Sequence, residues 1–341
     1  MQTLKHQLML ALSALALALT GTLHAQTFPD RPITIVVPVP PGGLVDASAR
    51  LLTEPLNRVT GQSIIIDNRQ GASGNIAYQY VAKSKPDGYT LLASYSGYHA
   101  ANPLLMDKLS WDPFKDFTPI ALLTVAMNVI AVHPSVPANT LKEFIAYAKA
   151  NPSKLNYASQ GNGSVSHIGT EIFEQATGIK LTHVPYKGSG QAIQDVLAGQ
   201  VQVFITTPPS VMGHVQTGKL KALAVTGKAR HPMMPNVPTV AEAGLPGFEL
   251  ESWVALYAPA GTPAAIVNKL TQDVKKALEL PEAKQRGDAA GIEVRYLNPQ
   301  ATDALLKKEI ALMQKAIRTA NIKLDLALAD LISFAPRRTP H

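Results

Sequence analysis

Along this chain, short apolar runs alternate with amphipathic stretches, and polar loops rich in glycine separate the two. The first such unit spans Ile33–Arg50. Its apolar run, Ile33–Val37, predicts a buried strand, and the spacing of apolar residues after Gly43 predicts a helix. The Pro-Pro-Gly-Gly break lets backbone N–H groups turn toward the space above the strand, where the helix dipole also points. A tight packing turn and an anion-binding loop both fit this pattern.

The alternation continues to about residue 99. Strands at Ile64–Ile66 and Tyr89–Ser94 are followed by polar loops at Asp67–Asn75 and Tyr95–His99. Such β–α–β alternation predicts a mainly parallel sheet flanked by helices, which is an α/β fold. In these sheets ligands bind beyond the carboxyl ends of the strands, and all three loops are expected there.

A second run of the same kind begins near residue 155. It carries its own glycine-bearing loop, Ser159–Ser166, between a predicted strand at Leu155–Ala158 and a predicted helix at His167–Thr177. Two further apolar stretches, Ile120–Val132 and Trp253–Tyr257, predict crossings of the chain between the two runs. Two β/α runs joined by two crossings predict two similar lobes that face a cleft.

The composition narrows the classes of function. The chain has 341 residues, of which 46% are hydrophobic and 16% charged, as in globular proteins. The net charge of +7 is scattered without basic runs, which argues against nucleic acid and favours small anionic solutes. The absence of cysteine excludes disulfides and thiolate sites. The nine histidines show no metal-ligand spacing, so we expect neither a metal nor a cofactor.

The N-terminus predicts export. Lys5 precedes an apolar run over Leu8–Leu19, and small residues follow it up to Ala25. This is the pattern of a secretory signal peptide over residues 1–25, and the apolar run is shorter than the roughly 20 residues of a membrane span. We expect cleavage after Ala25 and a mature chain free in solution.

The lobe boundaries follow from the two crossings. We assign residues 26–127 and 251–325 to a discontinuous first lobe and residues 128–250 to the second lobe. Residues 326–341 form a C-terminal extension with no assigned role.

The loop Ser159–Ser166 of the second β/α run resembles a dinucleotide-binding fingerprint but departs from it. Ser166 stands where the third glycine belongs, and the next strand ends at Pro185 without the acidic residue that binds a ribose. The pattern therefore favours a loop of neutral donors for a carboxylate at a helix N-terminus. The candidate donors are Ser159, Asn162, Ser164 and Ser166.

Three further side chains leave alternatives open. His167 could donate to a ligand or pack in the fold. Tyr95 and Tyr98 could cover an apolar ligand or simply pack. A serine hydrolase using Ser164 or Ser166 with His167 is the alternative function, although the chain has no G-x-S-x-G nucleophile elbow and no evident group to orient the histidine.

Nine segments carry motifs along nearly the whole mature chain: Phe28–Ile33, Val37–Asp46, Asp67–Asn75, Pro86–Leu91, His99–Pro103, Leu155–His167, His183–Gly188, Pro238–Gly244 and Ala258–Pro263. Together these motifs resemble one family, the periplasmic solute-binding receptors of tripartite tricarboxylate transporters, also called Bug receptors.

The resemblance implies a type II periplasmic binding protein with two lobes that close like a Venus flytrap. It implies a monomeric receptor without enzymatic activity, which holds an organic acid between its lobes and delivers it to the membrane subunits of the transporter. In the family the second-lobe loop, here Ser159–His167, reads part of the ligand. The first loop grips one carboxylate through backbone amides. The first-loop residues are Pro41, Gly42, Gly43, Leu44, Val45 and Asp46.

Two departures from the family pattern fall in the region that determines specificity. Thr206 and Thr207 stand where many relatives carry an Asp-Asn pair, and Tyr95 and Tyr98 stand in a loop where relatives often carry small residues. Without that aspartate a ligand ammonium lacks its partner. We therefore hypothesise a carboxylate ligand without an amine, with an aromatic dicarboxylate such as terephthalate as the favoured candidate.

Overall fold

The computed structural model describes residues 28–106 and 108–320. The predicted signal peptide (1–25) and the predicted C-terminal extension (326–341) lie outside these residues. The strands are β1 (Ile33–Val37), β2 (Ile64–Asn68), β3 (Thr90–Tyr95), β4 (Phe117–Met127), β5 (Val129–Val132), β6 (Asn156–Ser159), β7 (Thr182–Pro185), β8 (Val203–Thr206), β9 (Lys221–Val225), β10 (Glu251–Pro259) and β11 (Glu293–Leu297). The helices are α1 (Leu44–Thr60), α2 (Asn75–Ala82), α3 (Ser96–Leu105), α4 (Leu141–Ala150), α5 (Val165–Thr177), α6 (Ser189–Leu197), α7 (Pro208–Gln216), α8 (Ala264–Glu279), α9 (Pro281–Ala290) and α10 (Pro299–Ala320).

The strands form two sheets, one in each lobe. The first has the order β11-β4-β10-β3-β1-β2, and the second has the order β7-β6-β8-β5-β9. Strands β1, β2 and β3 pair in parallel, as do β6, β7 and β8, whereas β10 and β5 pair antiparallel with both of their neighbours. The two-lobed α/β fold is confirmed, but both sheets are mixed rather than mainly parallel. The reason is that β5, which enters the second lobe, and β10, which re-enters the first, run against the β–α–β strands beside them.

Amphipathic helices cover these sheets. Strand β1 contributes Ile35, and helix α1 contributes Leu52 and Leu56, all fully buried. Burying one such side chain stabilises the fold by about 2 kcal/mol. Helix α1 ends at Gly61, whose φ of 70° lies in the left-handed region that glycine adopts without strain.

The chain changes sheet at a hydrogen-bonded crossing. Strands β4 and β5 are separated by Asn128 alone, so the apolar stretch predicted as one strand is divided between two sheets. The Asn128 side chain donates to the Leu250 carbonyl at 3.1 Å, and Thr226 Oγ1 donates to the same carbonyl at 2.5 Å. The second crossing therefore lies beside the first. We propose the lobe boundaries at 127/128 and 250/251 on this basis.

The segment predicted as the third loop is mostly helical. Tyr95 is the last residue of β3, and α3 begins at Ser96, so Gly97, Tyr98 and His99 are helical residues. The prediction of a loop was wrong because the helix starts directly after the strand, and Gly97 lies in its first turn. Tyr95 therefore ends the strand, and Tyr98 lies three residues later in the first turn of the helix.

A titratable group on α10 gives the fold a testable pH dependence. Burial is the main reason that the pKa of Glu309 rises to about 7 from an ordinary value of 4.5. The folded protein keeps this proton up to about pH 7 while the unfolded chain loses it near pH 4.5, so this carboxyl destabilises the fold as the pH rises through that window.

Glu309→Gln, which is neutral at every pH, should therefore raise the free energy of unfolding by about 2 kcal/mol at pH 8 and change it little at pH 4.5. Denaturant melts of both proteins at the two pH values measure the difference. Glu249→Gln, at an exposed side chain, is the matched control. An equal effect of Glu309→Gln at both pH values would contradict the shifted pKa.

Candidate ligand-binding site

The loop that follows β1 touches the second lobe. A Cβ at Gly43 would lie 2.6 Å from Ser189 Oγ, and one at Gly188 would lie 2.6 Å from the Pro40 ring. The backbone atoms can approach this closely only because both positions are glycine. The cleft is therefore closed along this edge.

Asp46 shapes the first loop. It is 4% exposed, and its Oδ2 accepts hydrogen bonds from Gly42 N at 3.2 Å and from Arg50 Nε at 2.9 Å. Its Oδ1 accepts from Asn68 Nδ2 at 3.0 Å. This carboxylate lies at the N-terminus of α1, where the helix dipole favours a negative charge. Leu44 and Val45 are buried in the core, so their side chains pack rather than face the cleft.

The hydroxyls of the second-lobe loop hydrogen-bond to the protein itself. Ser164 Oγ donates to the Gly161 carbonyl at 2.6 Å and accepts from His167 N as the cap of α5. Ser166 Oγ accepts from Gln160 N at 2.9 Å. These serines therefore fix the shape of the loop.

Two stacked histidines support the same loop. The rings of His167 and His183 lie 4.3 Å apart and nearly parallel. His167 Nδ1 accepts from Gly163 N at 3.2 Å, and His183 Nε2 is hydrogen-bonded to Ser159 Oγ at 2.6 Å. Burial lowers the pKa of His167, and it lowers the pKa of His183 to about 3, so both rings are neutral at neutral pH.

This geometry gives no support to the hydrolase alternative. Within residues 28–106 and 108–320, the partners of Ser164 Oγ and Ser166 Oγ are other loop atoms, and His167 uses its Nδ1 for Gly163. An activated serine needs a hydrogen bond to its base. His167 is instead placed to hold the loop.

Thr206 and Thr207 lie in a buried polar cluster behind the loop. Gln160 Nε2 donates to Ser189 Oγ at 2.8 Å and to Thr206 Oγ1 at 3.2 Å. Thr207 is 2% exposed, and its Oγ1 has no hydrogen-bond partner among the described residues. The Thr206 hydroxyl is therefore engaged by the Gln160 side chain.

Tyr95 and Tyr98 reach across the cleft. The Tyr95 hydroxyl accepts from Val165 N at 3.1 Å, and the Tyr98 hydroxyl donates to the Gln160 carbonyl at 2.7 Å. Both side chains are at most 2% exposed. Burial raises the pKa of each phenol, so both stay neutral. The two tyrosines therefore join the lobes directly.

A cavity of about 340 Å³ remains between the lobes beside Tyr98. Its first-lobe wall is the loop Gly71–Gly74, and its second-lobe wall comprises Gln160–Asn162, Pro185–Lys187 and Gln191. Lys187 is its only charged lining residue, and no aspartate or glutamate of the described chain lines it. The volume is at the lower end of the range for small-molecule sites, about 300–1,000 Å³.

A second cavity, of about 440 Å³, lies at the crossings and is less suited to an anion. Its lining includes Glu251, Asp288 and Glu293 together with Lys284. Three carboxylates around one lysine oppose a negatively charged ligand.

In the structure, the site residues predicted from the sequence fall into two groups. Tyr98 and Asn162 line the cavity between the lobes, and the hydroxyls of Ser159, Ser164 and Ser166 hold the loop behind it. Sequence analysis placed the loops that contain Gln160 and Gly71–Gly74 at the ligand site without singling out these residues, and it missed Lys187. The loop positions after β2 and β7 were the available signal, since both follow strand carboxyl ends.

No metal centre accompanies this site within the described chain. No group of three or more His, Asp or Glu side chains there is arranged to hold a metal ion. None of the helices in residues 28–106 and 108–320 has the length and apolar character needed to cross a membrane.

Two lobes joined by paired crossings, with a cation-bearing cavity between their glycine loops, define a solute-binding protein. Residues 48–322 match the model of the tripartite tricarboxylate transporter family receptor. The chain belongs to this family.

Solved structures show the same fold. A Rhodopseudomonas palustris protein, Rpa4515 with adipate, is 38% identical, with a TM-score of 0.84 over 87% of this chain and 99% of that one. The periplasmic binding protein BugD is 33% identical, with a TM-score of 0.83 over 87% and 99%. MatC from Rhodopseudomonas palustris with bound malate is 37% identical, with a TM-score of 0.80 over 85% and 100%.

Proposed function

We propose that this protein is a periplasmic receptor that binds an organic carboxylate between its lobes and delivers it to the membrane subunits of a tripartite transporter. The observation that carries the proposal is the charge of the cavity between the lobes. Lys187 is cationic, and no acid of the described chain opposes it. A carboxylate is the ligand that such a lining favours.

The same lining argues against an amino acid as the ligand. An ammonium group needs an anionic or strongly polar acceptor, and Thr206 and Thr207 carry neutral hydroxyls and do not line the cavity. Tyr98, Pro185 and Tyr186 supply apolar surface to the cavity. An aromatic dicarboxylate such as terephthalate is the member of the class that we propose, and adipate and malate, bound by the two relatives, are its aliphatic competitors.

Lobe closure follows from the position of the crossings. Asn128, Thr226 and Leu250 are hydrogen-bonded to one another where the chain passes between the lobes. A small rotation there changes the width of the cleft while each sheet stays intact, as in hinge closure around a ligand. The membrane subunits are proposed to recognise the closed form.

A thermal-shift screen of the protein from Gln26 onward tests the proposal. The panel contains citrate, malate, succinate, adipate, glutamate, aspartate, nicotinate, benzoate, phthalate and terephthalate. A ligand that binds only the folded state raises the melting temperature. We expect a carboxylate without an amine to give the largest shift. A larger shift with aspartate or glutamate would contradict the ligand class, and turnover of an ester by the protein would favour the hydrolase.

A further inference from the structure

The first turn of α5 contains a backbone N–H donor that is already hydrogen-bonded to a side chain of the protein. Val165 is the first residue of this helix, so its N–H has no partner within the helix. Such N–H groups at helix N-termini bind carboxylates readily. Here the Tyr95 hydroxyl accepts this hydrogen bond from across the cleft at 3.1 Å. A ligand oxygen at the same place would have to displace the phenol.

Tyr98 fills the space next to that contact. Its hydroxyl donates to the Gln160 carbonyl at 2.7 Å, and its ring is edge-on to the Tyr95 ring at 5.2 Å. The ring lies so close to Gly74 that a Cβ there would be 2.7 Å from Tyr98 Cδ2. The inner part of the cleft is therefore closed by protein atoms, and the cavity of about 340 Å³ is what remains on its outer side.

We propose that Tyr95 and Tyr98 determine ligand specificity by filling the inner part of the cleft. The receptor then recognises only one carboxylate of its ligand, which binds near Lys187. A second carboxylate on the ligand then gains no hydrogen bond from the N-terminus of α5. This inference rests on the proposed function and narrows its ligand class to organic acids recognised through a single anionic group.

Matched pairs of ligands test, on the native protein, whether only one carboxylate is recognised. A dicarboxylate and its half-amide have nearly the same shape and differ in one negative charge: adipate with adipamate, and terephthalate with 4-carbamoylbenzoate. Losing a hydrogen bond to a charged group weakens binding by about tenfold or more. We expect calorimetric titrations to give dissociation constants within about threefold for each pair, because only one carboxylate is read.

A preference of tenfold or more for the diacid over its half-amide would overturn the inference and leave the carboxylate receptor standing. Failure of both pairs and of every other carboxylate in the thermal-shift panel to bind would overturn the proposed function as well. The two failures are therefore distinguishable.

Variants then test the residues assigned. Tyr95→Ala removes the phenol from Val165 N and opens space beside the helix, so the preference for the diacid should rise to about tenfold. Tyr95→Phe is the matched control, since it removes the hydroxyl but keeps the ring that blocks the space, and its preference should stay low. Equal preferences in native protein, Tyr95→Phe and a folded Tyr95→Ala would contradict the role of Tyr95. The native comparison decides the inference if Tyr95→Ala does not fold.

Discussion

Gly97→Ala should weaken ligand binding by about five- to 150-fold without unfolding the protein. Gly97 lies in the first turn of α3, at the contact between the lobes. A Cβ there would be 2.8 Å from Val165 N and 3.1 Å from the Gly163 carbonyl oxygen, both backbone atoms of the second lobe. Backbone atoms cannot rotate away, so the lobes must separate. Overpacking of this kind costs about 1–3 kcal/mol, which corresponds to about five- to 150-fold in affinity.

Folding of the first lobe should survive this change, because alanine is the better helix former. Gly213→Ala is the matched control, since Gly213 lies in α7 and its Cβ would meet no atom within 4 Å. Calorimetric titration and small-angle scattering of both variants measure affinity and closure. Native affinity in Gly97→Ala would show that the ligand-bound protein does not close through this contact.

Lys187→Met should weaken carboxylate binding by about tenfold and leave binding of neutral analogues unaffected. Lys187 is exposed at the cavity and is the only charged residue of the described chain that lines it. A hydrogen bond to a charged group contributes about 1.5–3 kcal/mol, and exposure to water and salt places this one at the lower end. Methionine keeps much of the length of the side chain and removes the charge.

Lys187→Arg provides the comparison for Lys187→Met, because it keeps a positive charge at the same place. Titration in low and high salt should show a salt-dependent affinity for the native protein and for Lys187→Arg, and a weaker dependence for Lys187→Met. A carboxylate that binds Lys187→Met as tightly as the native protein would place the anion elsewhere in the cleft.

The two-lobed fold could be predicted because its signal is local. Apolar runs such as Ile33–Val37 and the helical spacing that follows them identify strands and helices without reference to the rest of the chain. The direction of the crossing strands could not be predicted in this way. Whether β10 runs with or against β3 depends on how the chain returns between the lobes, and β10 pairs antiparallel with β3 through residues far apart in sequence.

The site was harder to predict for a related reason. Ser164 and Ser166 have the chemistry of ligand donors, but their partners, Gly161 and Gln160, are atoms of the same folded loop. Tyr95 was expected to meet a ligand or pack, and its actual partner is a backbone N–H of the other lobe. Lys187 follows β7 in sequence, but the wall Gly71–Gly74 that faces it across the cavity belongs to the other lobe. Contacts between lobes leave no periodic pattern in the sequence.

The most direct test of a carboxylate receptor is a calorimetric titration of the native protein with diacids and their diamides, namely adipate with adipamide and terephthalate with terephthalamide. The diamides keep the shape of the ligand and remove both charges. The account predicts that at least one diacid binds and that its diamide binds at least about tenfold more weakly. Equal binding of an acid and its diamide, or binding of neither acid while an amino acid binds, would contradict it.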